Sequence, residues 1–186
     1  SIFVLEMAAL TLFIVALARP QSSSKNQKVN VEGIDIVLAM DISSSMLAAD
    51  LKPDRLEAAK SVASEFVKGR PNDRMGLVVF SGETFTQVPL TTDHGMMLNM
   101  LQDMKCGMLE DGTAIGDGLA SAISRLKDSE AISKVVILLT DGDNNAGSID
   151  PSTAAEMAKL FGIRVYTIGA GTRPILSAED VPVFLR

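Results

Sequence analysis

Tryptophan is absent, and cysteine, histidine and tyrosine each occur once in the 186 residues. With aromatics at 4%, an aromatic-rich β-sandwich is a poor match. The single Cys106 cannot close an internal disulfide, so the fold is not disulfide-built, and one thiol is compatible with either redox compartment. A Ser/His hydrolase would have to use His94 as its base, and that residue reads as a helix start. No cluster of Lys or Arg is present and the net charge is −6, which argues against a nucleic-acid surface. Nor does a glycine-rich turn follow the first apolar run of the polar region. Gly112, Gly116 and Gly118 have the wrong spacing and the wrong place for a dinucleotide fingerprint. There is no internal repeat and no low-complexity tract.

What the chain does have is aliphatic residues, at 47% hydrophobic, enough for one domain with a sizeable core. It starts with Ser1 and an apolar run over residues 2–18, with Glu6 its only charge and Arg19-Pro20 closing it. Seventeen helical residues rise about 25 Å, and upstream residues would complete a span of ~30 Å. The run is therefore predicted to be the end of a transmembrane helix, residues 1–19. A signal peptide fits less well, because proline directly after Ala16-Leu17-Ala18-Arg19 disfavours cleavage. Residues 20–30 are polar and read as a linker, and the folded domain is expected over 31–172.

Within that domain short apolar runs alternate with helical periodicity. Strands are expected at 34–40, 75–80, 84–88, 135–139 and 164–168. Helices are expected from 53, 92, 113 and 151. The second and third strands can pair through Ser81-Gly82-Glu83. The methionine-rich stripe of Met96, Met97, Met100 and Met104 is read as adaptable core filler. This order predicts an α/β fold: a doubly wound, mostly parallel sheet, buried on both faces by helices, with the apolar helix at the N-terminus.

One stretch carries chemistry. Asp41-Ile42-Ser43-Ser44-Ser45 follows the first apolar run, and alternate residues of extended chain point the same way. Asp41, Ser43 and Ser45 thus offer three oxygens at a strand end. Asp141 ends a later strand in the same manner, and Thr113 opens a helix after Asp111-Gly112. Doubly wound folds bind ligands beyond the carboxyl ends of their strands. Two carboxylates and three hydroxyls suit a hard dication, Mg²⁺ with Mn²⁺ or Ca²⁺ as alternatives, and leave it undercharged. A carboxylate from another molecule could displace the water such an ion retains.

Asp41-x-Ser43-x-Ser45, Thr113 and Thr140-Asp141-Gly142 resemble the metal-ion-dependent adhesion site of von Willebrand factor type A domains. More narrowly, the stretches 41–59, 70–93, 110–119, 138–146 and 164–172 resemble the bacterial aerotolerance-operon membrane proteins, the BatA/BatB group, and BatA more closely. The apolar helix with its Ala-Arg-Pro-Gln ending is similar to that group's membrane span. The resemblance implies Mg²⁺ held directly through Ser43, Ser45 and Thr113. It implies that Asp41 and Asp141 act mainly through water, and that a partner's Glu or Asp completes the site. It also implies a non-enzymatic protein-interaction module at the bacterial inner membrane, with its domain on the periplasmic side. Related von Willebrand A membrane proteins and a MoxR-type ATPase are the implied associates.

Residues 173–186 depart from the family pattern, which usually continues with a further helix and strand. Asp141-x-Asp143-x-Asn145 has the start of a calcium loop, but Ala146 stands where glycine is expected and Ser152 where the closing Glu is. The alternative function is a Mg²⁺-dependent phosphohydrolase of the haloacid-dehalogenase type, with Asp41 as nucleophile. Ser43 then occupies the place of that chemistry's general acid.

Overall fold

The computed structural model describes residues 2–17, 33–142 and 144–171. The chain divides into two compact units, Ser1–Asn30 and Val31–Arg186. In the first, helix α1 covers Ile2–Leu17. Its 16 residues rise about 24 Å. Among the described residues no helix is long and apolar enough to cross a membrane. The linker expected at 20–30 and the divergent tail at 173–186 lie outside the described residues.

In the second unit, β1 (Asp35–Asp41) leads through a 3₁₀ turn (Ser44–Leu47) into α2 (Arg55–Lys68). A hairpin of β2 (Arg74–Phe80) and β3 (Thr84–Thr91) follows, then α3 (His94–Asp103) and α4 (Ile115–Leu126). β4 (Lys134–Thr140), α5 (Pro151–Leu160) and β5 (Arg164–Gly169) complete it. The five-stranded sheet has the order β3-β2-β1-β4-β5. β1 runs parallel to both neighbours and β4 runs parallel to β5, while β3 is antiparallel to β2.

β1 reads as an unbroken apolar run because both of its faces are covered. Ile36, Leu38 and Met40 face α2 and α3 in one core layer, with Leu56, Ala63, Val67, Met97 and Leu101. Val37 and Ala39 face α4 and α5 in the other, with Leu119, Ile123, Leu126 and Ala154. Of the methionine stripe, Met97 and Met104 are fully buried and Met100 packs against the core, whereas Met96 is 43% exposed. Asp54 caps α2, its side chain accepting from Glu57 N–H, so Pro53 lies just outside the first turn where it was expected. Pro151 opens α5 behind the cap residue Asp150.

The expectation of a sheet buried on both faces holds for β1, β2 and β4 and not for the edge strands β3 and β5. Val165 packs on the α5 layer, but Tyr166 and Ile168 are 53% and 43% exposed. Their strand lies at the sheet edge, and no helix among the described residues covers its other face.

The chain leaves β1 toward β2 on one side and reaches β4 on the other. The gap between the carboxyl ends of β1 and β4 is therefore the switch point of the sheet, where a crevice forms.

Candidate metal centre

Register places the two strand ends together. Met40 pairs with Leu139, so Asp41 and Thr140 are the last residues of adjacent parallel strands. Asp41 is fully buried. Its Oδ1 accepts from Ser43 N–H at 2.9 Å and its Oδ2 from the Thr140 hydroxyl at 2.6 Å. Burial pushes the Asp41 carboxyl up, the hydrogen bonds from Ser43 and Thr140 oppose that, and the nearby Asp141 charge adds to it.

Beyond Asp41 the chain tightens into the 3₁₀ turn and brings two hydroxyls side by side. Ser43 Oγ and Ser45 Oγ are 2.9 Å apart, and Ser45 Oγ donates to Asp141 Oδ1 at 2.7 Å. Ser43 stands at the N-cap position of this turn without a side-chain cap bond, so its hydroxyl is not spent on capping. Asp111 clamps the turn from the loop before α4, accepting from Ser44 N–H at 3.0 Å and from Ser44 Oγ at 2.7 Å. The Ser44 backbone N–H and hydroxyl hold the Asp111 carboxyl below its usual range.

Thr113 is buried at the same edge, fastened from its backbone. Its N–H donates to Asn145 Oδ1 at 2.8 Å, and its carbonyl accepts from Asn145 and Ala146 N–H. Its Oγ1 lies 3.6 Å from where a Cβ on Gly142 would sit, next to Asp141. The first turn of α4 is pressed onto the same loop: a Cβ at Gly116 would lie 1.8 Å from the Ile149 carbonyl oxygen. Asp117 locks that contact by accepting from Ser148 and Ile149 N–H.

Four of the five expected site residues thus form one hydrogen-bonded chain, Asp41–Ser43–Ser45–Asp141, and Thr113 stands beside it. The donor set can be tested against an ion. Neighbouring oxygens around octahedral Mg²⁺ at 2.0–2.1 Å lie about 2.9 Å apart. The Ser43 and Ser45 hydroxyls have that separation. Each hydroxyl can donate its proton and still present a lone pair. Among the described residues no group of three or more His, Cys, Asp or Glu is placed to hold an ion. An ion here would rest on hydroxyls with two carboxylates, a hard-cation set. The residues fit Mg²⁺.

The calcium-loop pattern does not assemble. Asn145 and Asn144 spend their side-chain oxygens on Thr113 and Gly116 N–H, and Asp143 lies outside the described residues. His94 is half-buried with Nε2 at 2.9 Å from the Asp73 carbonyl, away from the site. Cys106 Sγ donates to the Ser43 carbonyl at 3.2 Å, and burial first, then surrounding carboxylates, pushes its thiol up, away from nucleophilic character.

The sequence reading missed Arg55 and Asp50. Arg55 Nη1 donates to Asp141 Oδ2 at 2.5 Å, while Nε and Nη2 grip Asp50 at 2.7 and 2.8 Å. Asp50 first and Asp141 second push the guanidinium further toward its charged form. Thr140 was also read only as part of a motif, and it is the donor that holds Asp41. Charge pattern near residues 50–55 was the one available signal, and spacing alone does not aim a side chain.

The family model for the von Willebrand factor type A domain matches residues 35–180. A protein of Borreliella burgdorferi is 36% identical over 176 residues, covering 94% of this chain and 51% of that protein. The crystal structure of an aerotolerance-related membrane protein from Bacteroides fragilis superposes with TM-score 0.70 at 35% identity, covering 80% of this chain and 75% of the other. BatB from Bacteroides thetaiotaomicron gives TM-score 0.66 at 37% identity, covering 74% and 66%. The chain spans about half the length of the curated relatives it matches.

Proposed function

This chain belongs to the von Willebrand factor type A domain family, and from that premise we propose that it is a divalent-metal-dependent protein-interaction module, not an enzyme. The observation that carries the metal is the convergence of the Ser43 and Ser45 hydroxyls, 2.9 Å apart, with the Asp141 carboxylate directly behind them and Asp41 and Thr113 at the same sheet edge. Ser43, Ser45 and Thr113 would hold the ion. A bound dication supplies a positive, incompletely satisfied centre for a partner's Glu or Asp. The protein's own part is orientation: Thr140 and Ser43 N–H fix Asp41, Ser45 fixes Asp141, and Asp111 fixes the turn between them.

The same geometry disfavours the phosphohydrolase alternative. Both oxygens of Asp41 are occupied by hydrogen bonds, and Ser43 offers a hydroxyl where a general acid is needed. Similarity to an aerotolerance-related membrane protein supports membrane association; anchoring by the N-terminal apolar segment in the bacterial inner membrane, with residues 31–172 on the periplasmic side, belongs to the same proposal. Related von Willebrand A membrane proteins and a MoxR-type ATPase system are the proposed associates.

The test is thermal unfolding of the chain with Mg²⁺ or Mn²⁺ against chelator. An ion at a hundred times its Kd adds about 2.7 kcal/mol. In a domain of this size that raises Tm by roughly 5–10 °C. The rise disappears in the double variant Ser43→Ala with Ser45→Ala. A wild-type Tm indifferent to millimolar ion refutes the metal site, and phosphomonoester turnover lost in Asp41→Asn refutes the non-enzymatic reading.

A further inference from the structure

The Asp141 carboxylate has two sides. Oδ1 accepts from Ser45 on the side of the candidate ion, and Oδ2 receives the Arg55 guanidinium on the other. The Asp141 side chain is 0% exposed and that of Arg55 17%, so their attraction is poorly screened by water. Arg55 is also the first residue of α2, aimed by a two-point grip on Asp50. The chain just beyond β5 lies over it: a Cβ on Gly171 would come 3.3 Å from the guanidinium carbon, so the missing side chain leaves that space to Arg55.

We propose that Arg55 is the resident counter-cation of the site: it neutralises Asp141 when no metal is bound and opposes entry of the dication, thereby setting the metal concentration at which the site loads. The proposal rests on the metal-site reading above. Without Arg55, Asp41 and Asp141 would be two neighbouring buried carboxylates with no cation in contact, a costly arrangement for an empty site. With it, an arriving ion meets a carboxylate whose charge is already partly offset. Asp50 acts in the opposite sense, because its own charge compensates the guanidinium and lessens the repulsion felt by the ion.

An architectural Arg55, one that only positions Asp141, makes the contrary prediction: its loss would weaken metal binding. The sign of the effect separates the two. Mn²⁺ binding is measured by calorimetry and by electron paramagnetic resonance on the full chain in detergent, for wild type, Arg55→Gln, Arg55→Lys and Asp50→Asn. Melting in chelator confirms that each variant unfolds cooperatively. Removing one positive charge beside the ion tightens Mn²⁺ binding about tenfold in Arg55→Gln. Arg55→Lys, which keeps the charge, stays within about threefold of wild type. Asp50→Asn weakens binding a few-fold. Binding in Arg55→Gln equal to or weaker than wild type overturns the proposal. If Arg55→Gln fails to fold, Asp50→Asn decides it, and unchanged or tighter binding there overturns it. Absence of Mn²⁺ binding in wild type and all variants overturns the metal site itself.

Discussion

β1 begins and ends in an aspartate, each at most 1% exposed, and the two should respond differently to loss of charge. Asp35 is paired: Arg74 binds it through both Nε and Nη2, and the Ser129 hydroxyl adds a third bond. Among the described residues Asp41 touches no cation and is held by one N–H and one hydroxyl. Asp35→Asn forfeits the bidentate pair. Arg74 is 47% exposed and can turn to water, so the cost falls below the 3–5 kcal/mol of an orphaned buried ion, at about 2–3 kcal/mol. In a domain of this size that lowers Tm by roughly 5–10 °C. Asp41→Asn retains one acceptor, loses about 1 kcal/mol of hydrogen bonding, and removes a buried charge next to Asp141. In chelator it should melt within about 3 °C of wild type. The assay is scanning calorimetry of both variants with EDTA and with Mg²⁺. Asp35→Asn loses stability in both and keeps its metal response, whereas Asp41→Asn loses only the response. An equal fall for both variants in EDTA would refute the reasoning, since Asp41 would then be holding up the fold.

Two further outcomes follow from contacts around the site. Gly116→Ala drives a Cβ into the Ile149 carbonyl and should cost about 2–3 kcal/mol while blunting the metal response, because the Thr113 loop shifts. Gly162→Ala, with φ of 64° and no atom within 4 Å of its Cβ, is the control and costs only about 1 kcal/mol. In chelator, the raised Asp41 carboxyl makes the folded state bind a proton more readily than the unfolded one. Its burial penalty is therefore fully present above the folded value and is relieved as pH falls from there toward 3.8. Wild type should therefore gain stability relative to Asp41→Asn on acidification through that window, read by chemical denaturation at several pH values. A difference that is constant with pH contradicts this.

The layered fold was legible because burial on two faces writes itself as continuous apolar strands, as in β1 and β4, between amphipathic helices such as α4. Asp41, Ser43, Ser45 and Asp141 were legible for a related reason: polar residues directly after such strands must lie at one edge of the sheet. Edge strand β5 misled, because its Val165, Tyr166 and Ile168 have the composition of a covered strand, and composition does not say whether a helix arrives. Arg55 was hidden because its partner is 86 residues away, and only the folded chain brings them to 2.5 Å. The role of Asn145 in holding the Thr113 loop was hidden for a similar reason. A side-chain oxygen that fastens a neighbouring loop and one that faces an ion look alike in sequence.

The buried polar groups around the site are already hydrogen-bonded, and this bears on why a partner would matter. Among the described residues no buried side-chain nitrogen or oxygen lacks a hydrogen-bond partner. An ion entering beside Ser43 and Ser45 thus exchanges interactions and does not fill a deficit, and it does so against the charge of Arg55. Its net gain is the difference between its ligand bonds and the sum of lost hydration and repulsion. An external carboxylate shifts that balance, because it adds negative charge on the side away from Arg55 and replaces a water that the protein cannot itself displace. By linkage, any carboxylate partner that prefers the loaded site must tighten metal binding by the same factor by which metal tightens the partner. In Arg55→Gln the ion is held more firmly without help, so the factor by which the carboxylate partner and the ion strengthen one another should be smaller than in wild type.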